Sequence, residues 1–96
     1  MVQFKELDPL LHSQLRLAII SLLMGVERAE FTWIREQTGS TAGNLSIQIG
    51  KLKEAGYVEV SKGFSNNYPQ TLVWITGLGR RRFAEYVEAI QNYLKT

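Results

Sequence analysis

Four residues pose the first chemical question: Asn44, Ile47, Gln48 and Lys51. If their stretch is helical, spacings of three and four bring them to one side of it. Amide side chains carry a donor beside an acceptor and can pair with adenine edges. A lysine can reach a phosphate or a guanine, and a β-branched apolar group packs on a thymine methyl. Leu45, Ile49 and Leu52 fall on the other side, as a core stripe should. Ser40 and Gly43 share the outward side, with Thr41 at its flank. An outward Ile47 has no structural reason to be there, although scattered surface apolar residues are ordinary.

Other chemistries lack their parts. His12 is the only histidine, and cysteine is absent. A metal or nucleophilic site needs partners that the chain does not supply. The serines lack a His–Asp context, and no glycine loop has phosphate-cradling spacing. No enzyme activity, cofactor or metal is expected.

Caps and periods show which helices and strands carry these four residues. Asp8-Pro9 suits a helix start, because aspartate caps and proline fits the first helical position. A first helix is predicted over 8–24, apolar on most sides, ending at Gly25. A short extended piece follows near 30–32. Thr32 is expected to cap a second helix over 32–38, anchored by Trp33 and stopped by Gly39. A third helix is predicted over 41–55, ending before Gly56. Two short helices joined by a glycine turn are the sequence form of a helix-turn-helix. Beyond Gly56 the period becomes two, and a hairpin is predicted over 57–75 with a long tip from Gly63 to Pro69. Thr76 then caps a last helix over 77–94.

The chain has 96 residues and is read as one domain, 1–96, in the α+β class, mostly helical. Net charge is only +2, but from Gly50 to Arg82 six bases face two acids, whereas the rest holds five against seven. That basic middle could face a polyanion. No apolar run is long enough to span a bilayer, and Met1–Asp8 lacks the pattern of a signal peptide. A cytoplasmic protein without membrane contact is expected. In the last helix Phe83, Tyr86, Val87, Ile90, Tyr93 and Leu94 recur three and four apart. With Leu10 and Leu11 of the first helix, they are the expected surface of a two-fold homodimer.

The order of these pieces resembles the small winged-helix regulators of the multiple-antibiotic-resistance (MarR) and arsenical-repressor (ArsR) groups. The resemblance rests on Leu7 to Ser13, Leu15 to Ile19, Asn44 to Val58, Lys62 to Phe64, Pro69 to Thr71, and Ile75 to Arg80. It implies a winged helix-turn-helix with a two-stranded wing and an added dimerisation helix. It further implies a homodimer held by the first and last helices, with the third helix in the major groove of double-stranded DNA. The wing departs from the pattern. Its tip, Ser65, Asn66, Asn67 and Tyr68, carries no base, and Gln70 stands where a base is common.

The expected DNA contacts are therefore Ser40, Thr41, Asn44, Ile47, Gln48 and Lys51 from the third helix, with Lys62, Asn66, Asn67, Tyr68 and Gln70 from the wing. The residues name no operator and no small-molecule effector. A second reading remains open: a winged helix serving protein–protein interaction, with weak or no DNA binding.

Overall fold

The computed structural model describes residues 4–95 and arranges them as α1 (Gln14–Met24), β1 (Ala29–Glu30), α2 (Phe31–Thr38), α3 (Ala42–Glu54), β2 (Val58–Ser65), β3 (Tyr68–Ile75) and α4 (Gly77–Leu94). The strands form one antiparallel sheet in the order β1-β3-β2. This is a winged-helix fold, mostly helical, with the β2–β3 hairpin as its wing. The short β1 pairs Ala29 with Val73 and adds a third strand at the base of that hairpin.

A helix apolar on most sides must be covered on most sides. The chain itself supplies much of that cover for α1. Ile19, Ile20 and Leu23 are fully buried against Ile34 of α2, Leu45 and Leu52 of α3, and Val73 of β3. Leu15, Leu17 and Leu22 are half-buried around this centre. Within α2 the fully buried residue is Ile34, and the expected anchor Trp33 packs half-buried beside it.

Three local expectations change. First, α1 begins at Gln14, not at Asp8. Asp8 instead builds an isolated turn: its carbonyl accepts from Leu11 N at 3.1 Å and His12 N at 2.8 Å, and its carboxylate accepts from Leu10 N at 2.9 Å. Ser13 is extended, and this break turns Leu11 into the core. Second, α2 starts one residue earlier than Thr32, after an extended Glu30 that belongs to β1. Third, the wing has no long tip. Its strands run out to Ser65 and Tyr68, and the turn is Asn66-Asn67 alone, with φ of 51° and 66°. Both central residues of a two-residue hairpin turn of this hand need positive φ, which asparagine tolerates better than most residues. Pro69 sits inside β3 opposite Phe64. The pair next to the turn-closing one is the non-hydrogen-bonded kind, and β1 does not reach Pro69, so its missing N–H costs no ladder bond.

The joints around α3 are fixed by caps. Gly39 takes the left-handed conformation after α2, with φ 67°, and its N–H donates to Arg35 O at 2.9 Å. Thr41 caps α3, its Oγ1 accepting from Asn44 N at 3.1 Å. At the wing's base Thr76 caps α4 by accepting from Gly79 N at 3.0 Å, and its hydroxyl donates to Gly56 O at 2.6 Å. A Cβ at Gly79 would lie 2.2 Å from Tyr57 O, so only glycine lets α4 start so close to the chain entering β2.

Candidate nucleic-acid interface

The two faces of α3 are sharply divided. Leu45, Ile49 and Leu52 are buried in the core. Opposite them Gly43, Ile47 and Gly50 form an open ridge in which Ile47 is 59% exposed and neither glycine position has a neighbour within 4 Å of a Cβ. A surface ridge with one side chain between two glycines allows another body to approach the backbone closely.

The polar residues beside the ridge split into two flanks. Ser46 and Lys53 face the wing across a crevice of about 360 Å³, whose far wall includes Lys62 and Thr71. Asn44, Gln48 and Lys51 lie on the flank toward α1. Gln48 is half-buried there and is engaged by Arg16 of α1. Arg16 Nη1 donates to Gln48 Oε1 at 2.6 Å, and Arg16 Nε donates to Leu10 O at 2.6 Å. Gln48 Nε2 donates in turn to Asn44 Oδ1 at 3.0 Å. Arg16 was not foreseen as a site residue. A basic residue on the first helix gives no local signal that it meets the third, because the pair is 32 residues apart in sequence.

Ser40 and Thr41 sit at the start of α3, where Ser40 Oγ lies 2.8 Å from Thr38 Oγ1 and Thr41 serves as the cap. In the wing Lys62, Asn66 and Asn67 are exposed, as are the aromatics Phe64 (78%) and Tyr68 (75%). Alternation sets Phe64 on the same face as Lys62, the face that lower in β2 turns Val58 inward, and sets Tyr68 with Ser65 on the other. Gln70 donates to the Glu30 carboxylate at 2.5 Å, so this expected contact residue is tied to the end of β1. Trp74 is half-buried, with the Arg28 guanidinium 4.4 Å from its ring centroid.

The residues expected at a subunit interface divide into three groups. Leu11 and Tyr86 belong to the chain's own core. Leu10, Phe83 and Ile90 pack half-buried at its edge. Val87 and Leu94 remain exposed along the outer side of α4, and Tyr93 is partly exposed beneath the chain before Asp8. The segment before Asp8 runs along the same helix. Phe4 stacks on Tyr93 with centroids 4.8 Å apart, Lys5 pairs with Glu88 at 2.6 Å, and Lys5 N donates to Asn92 Oδ1 at 3.1 Å. The Lys5 ammonium holds the exposed Glu88 carboxyl below the usual carboxylate range.

His12 lies in the turn before α1, its Nδ1 2.9 Å from Tyr86 Oη. Nearby, Tyr57 Oη donates to Asp8 Oδ2 at 2.6 Å. Burial, followed by that bond to Asp8, pushes the Tyr57 phenol up to about 12. Among the described residues no group of His, Asp or Glu could hold a metal ion, and no helix is long and apolar enough to cross a membrane.

Comparison with known proteins agrees with this geometry. The profile of the winged helix DNA-binding domain family matches residues 15–94. An uncharacterized protein of Methanocaldococcus jannaschii is 36% identical over 84 residues, which is 88% of this chain and 91% of that one. The structure of a transcriptional regulator homologue from Pyrococcus horikoshii OT3 superimposes with a TM-score of 0.83 at 27% identity, over 90% of this chain and 85% of that one. A MarR family transcriptional regulator from Silicibacter pomeroyi shares the fold, with a TM-score of 0.67 at 18% identity, over 81% of this chain and 52% of the other. With its ridge on α3, its hairpin wing and a profile match that runs from α1 to the end of α4, the chain belongs to the winged helix DNA-binding domain family.

Proposed function

We propose that this chain is a sequence-specific DNA-binding transcriptional regulator that works as a homodimer in the cytoplasm. Helix α3 enters the major groove, and the wing lies along the flanking backbone or minor groove. The observation that carries this reading is the outward side of α3. It is open, is centred on an exposed Ile47 between two glycines, and is bordered by Asn44, Gln48 and Lys51 on one flank and Lys53 on the other. The Pyrococcus structure, described as a transcriptional regulator homologue, supports it. The exposed side of α4, with Val87 and Leu94, supports the dimer, whose two-fold axis would present two α3 helices about one DNA turn apart.

Salt titration of binding to mixed genomic DNA fragments tests the reading. Affinity should fall steeply with salt, and Lys51→Ala should flatten the slope by about one unit, as one lost phosphate contact does. One feature favours a second reading, a protein-interaction module: the wing tip has no base between Gly63 and Gln70 and exposes Phe64 and Tyr68. Absence of DNA binding at low salt would select that reading instead.

A further inference from the structure

Arg16 has donors only, so the Gln48 atom 2.6 Å from its Nη1 must be the amide oxygen. Turning that amide round would set two donors against each other. With Oε1 held, Nε2 faces Asn44, and a donor there must meet an acceptor, the Asn44 Oδ1 at 3.0 Å. One guanidinium therefore dictates the orientation of both amides. Arg16 is itself held, because its Nε donates to Leu10 O at 2.6 Å, in the turn that Asp8 closes.

The consequence lies at the surface. Both amide oxygens are engaged within the protein. A partner meets the Nδ2 group of the exposed Asn44, the second Nε2 hydrogen of Gln48 and the remaining N–H groups of Arg16, against one spare lone pair on each engaged oxygen. A free Asn or Gln reads adenine by giving N–H to N7 and accepting from N6. Here each accepting oxygen already carries one intramolecular bond, so the flank offers a partner more donors than acceptors. Guanine presents only acceptors, N7 and O6, on its major-groove edge.

We propose that Arg16 is a positioning residue that fixes the α1-facing flank of α3 in a donor-rich state, so that the base read there in each half-site is guanine rather than adenine. This rests on the reading of α3 as the groove-entering helix, and it replaces the adenine pairing that the amide residue types suggest on their own. The residue acts through Gln48 and Asn44, and its mark is a base preference rather than a change in stability.

Binding-site selection from randomised duplexes tests it, using wild type, Arg16→Met and Gln48→Ala, with a thermal melt of each. Wild type should recover one guanine per half-site, preferred over adenine by about tenfold, the scale of a good base-edge contact. Arg16→Met frees the Gln48 amide to rotate and should lose that preference or turn it toward adenine, while the other positions keep theirs. Gln48→Ala removes the relay without touching α1 and should relax the same position. It supplies the result if Arg16→Met fails to fold. Should both variants recover the wild-type motif with a uniform loss of affinity, or should wild type select adenine throughout, the proposal is overturned while DNA recognition by α3 stands. If wild type recovers no motif and binds DNA at no salt concentration, the functional reading fails and the proposal falls with it.

Discussion

A single added methyl should act with opposite sign at two glycines of this chain. Gly50 is in the interior of α3 with open space where a Cβ would go. Alanine there removes the helix penalty of glycine, about 0.8–1.0 kcal/mol. For a domain of this size that should raise the melting temperature by roughly 4–8 °C. Gly79 is in the first turn of α4, and its Cβ would stand 2.2 Å from Tyr57 O and 2.8 Å from Ile75 Cγ1. The first obstacle is backbone, not a flexible side chain. Relieving it means moving α4 away from the start of β2 or straining both, and overpacking of this kind costs about 1–3 kcal/mol. The same carbonyl accepts from Thr76 N at 3.0 Å, and disturbing that bond adds about 1 kcal/mol. Any propensity gain offsets only part of this. Gly79→Ala should thus lose about 2–3 kcal/mol, or roughly 10–20 °C. The assay is scanning calorimetry at matched protein concentration, since self-association makes a melting temperature concentration-dependent. A rise for Gly79→Ala, or shifts of the same sign at both sites, would refute the reasoning. Because Gly50 lies on the exposed ridge beside Ile47, the stabilised Gly50→Ala protein should also bind DNA more weakly than wild type.

Three further outcomes are expected. Val87→Glu with Leu94→Glu places charge on the outer side of α4 without entering the core, so sedimentation should show monomers that still melt cooperatively; a persisting dimer would place the interface elsewhere. In the wing, alanine at Asn66 and Asn67 must adopt positive φ, at about 1–2 kcal/mol per residue, whereas Asn67→Gly should keep or slightly raise hairpin protection in hydrogen exchange. A double-alanine loss of DNA binding therefore reports the turn as well as the side chains, and Asn67→Gly separates the two. Finally, folding favours the neutral Tyr57 phenol, so its contribution is complete below pH 10 and lost as pH rises through about 12. The melting-temperature gap between wild type and Tyr57→Phe should shrink across that window, and a constant gap would contradict it.

Much of the fold was legible because its signals are local. Gly39 and Gly56 end helices, Thr41 and Thr76 cap them, and the period changes from helical to two after Gly56, all within a few residues of the feature they specify. The division of α3 into a buried Leu45, Ile49 and Leu52 side and an open Ile47 side follows from the same kind of information, since side-chain direction along a helix is a matter of spacing. The wing turn was misjudged for a related reason. Gly63 to Pro69 reads as a loop by composition, yet cross-strand pairing extends both strands to the two asparagines, and Pro69 survives in β3 because β1 is too short to reach it.

Local spacing, caps and breakers are enough to set the order of elements, the helix-turn-helix and the residue types offered on its outward side. Tertiary structure alone decided what those residues can say to a partner. Asn44 and Gln48 are each free, as amides, to present a donor or an acceptor. Only the packing of α1 on α3 brings Arg16 to Gln48 and fixes which way both amides point. Packing likewise took Leu11 and Tyr86 out of the expected interface and into the core, and tied Gln70 to Glu30. The physical reason is the same in each case. Periodicity fixes the direction of a side chain relative to its own helix or strand, but which group meets it across a gap of 32 or 40 residues depends on how the elements pack, and no local pattern carries that information.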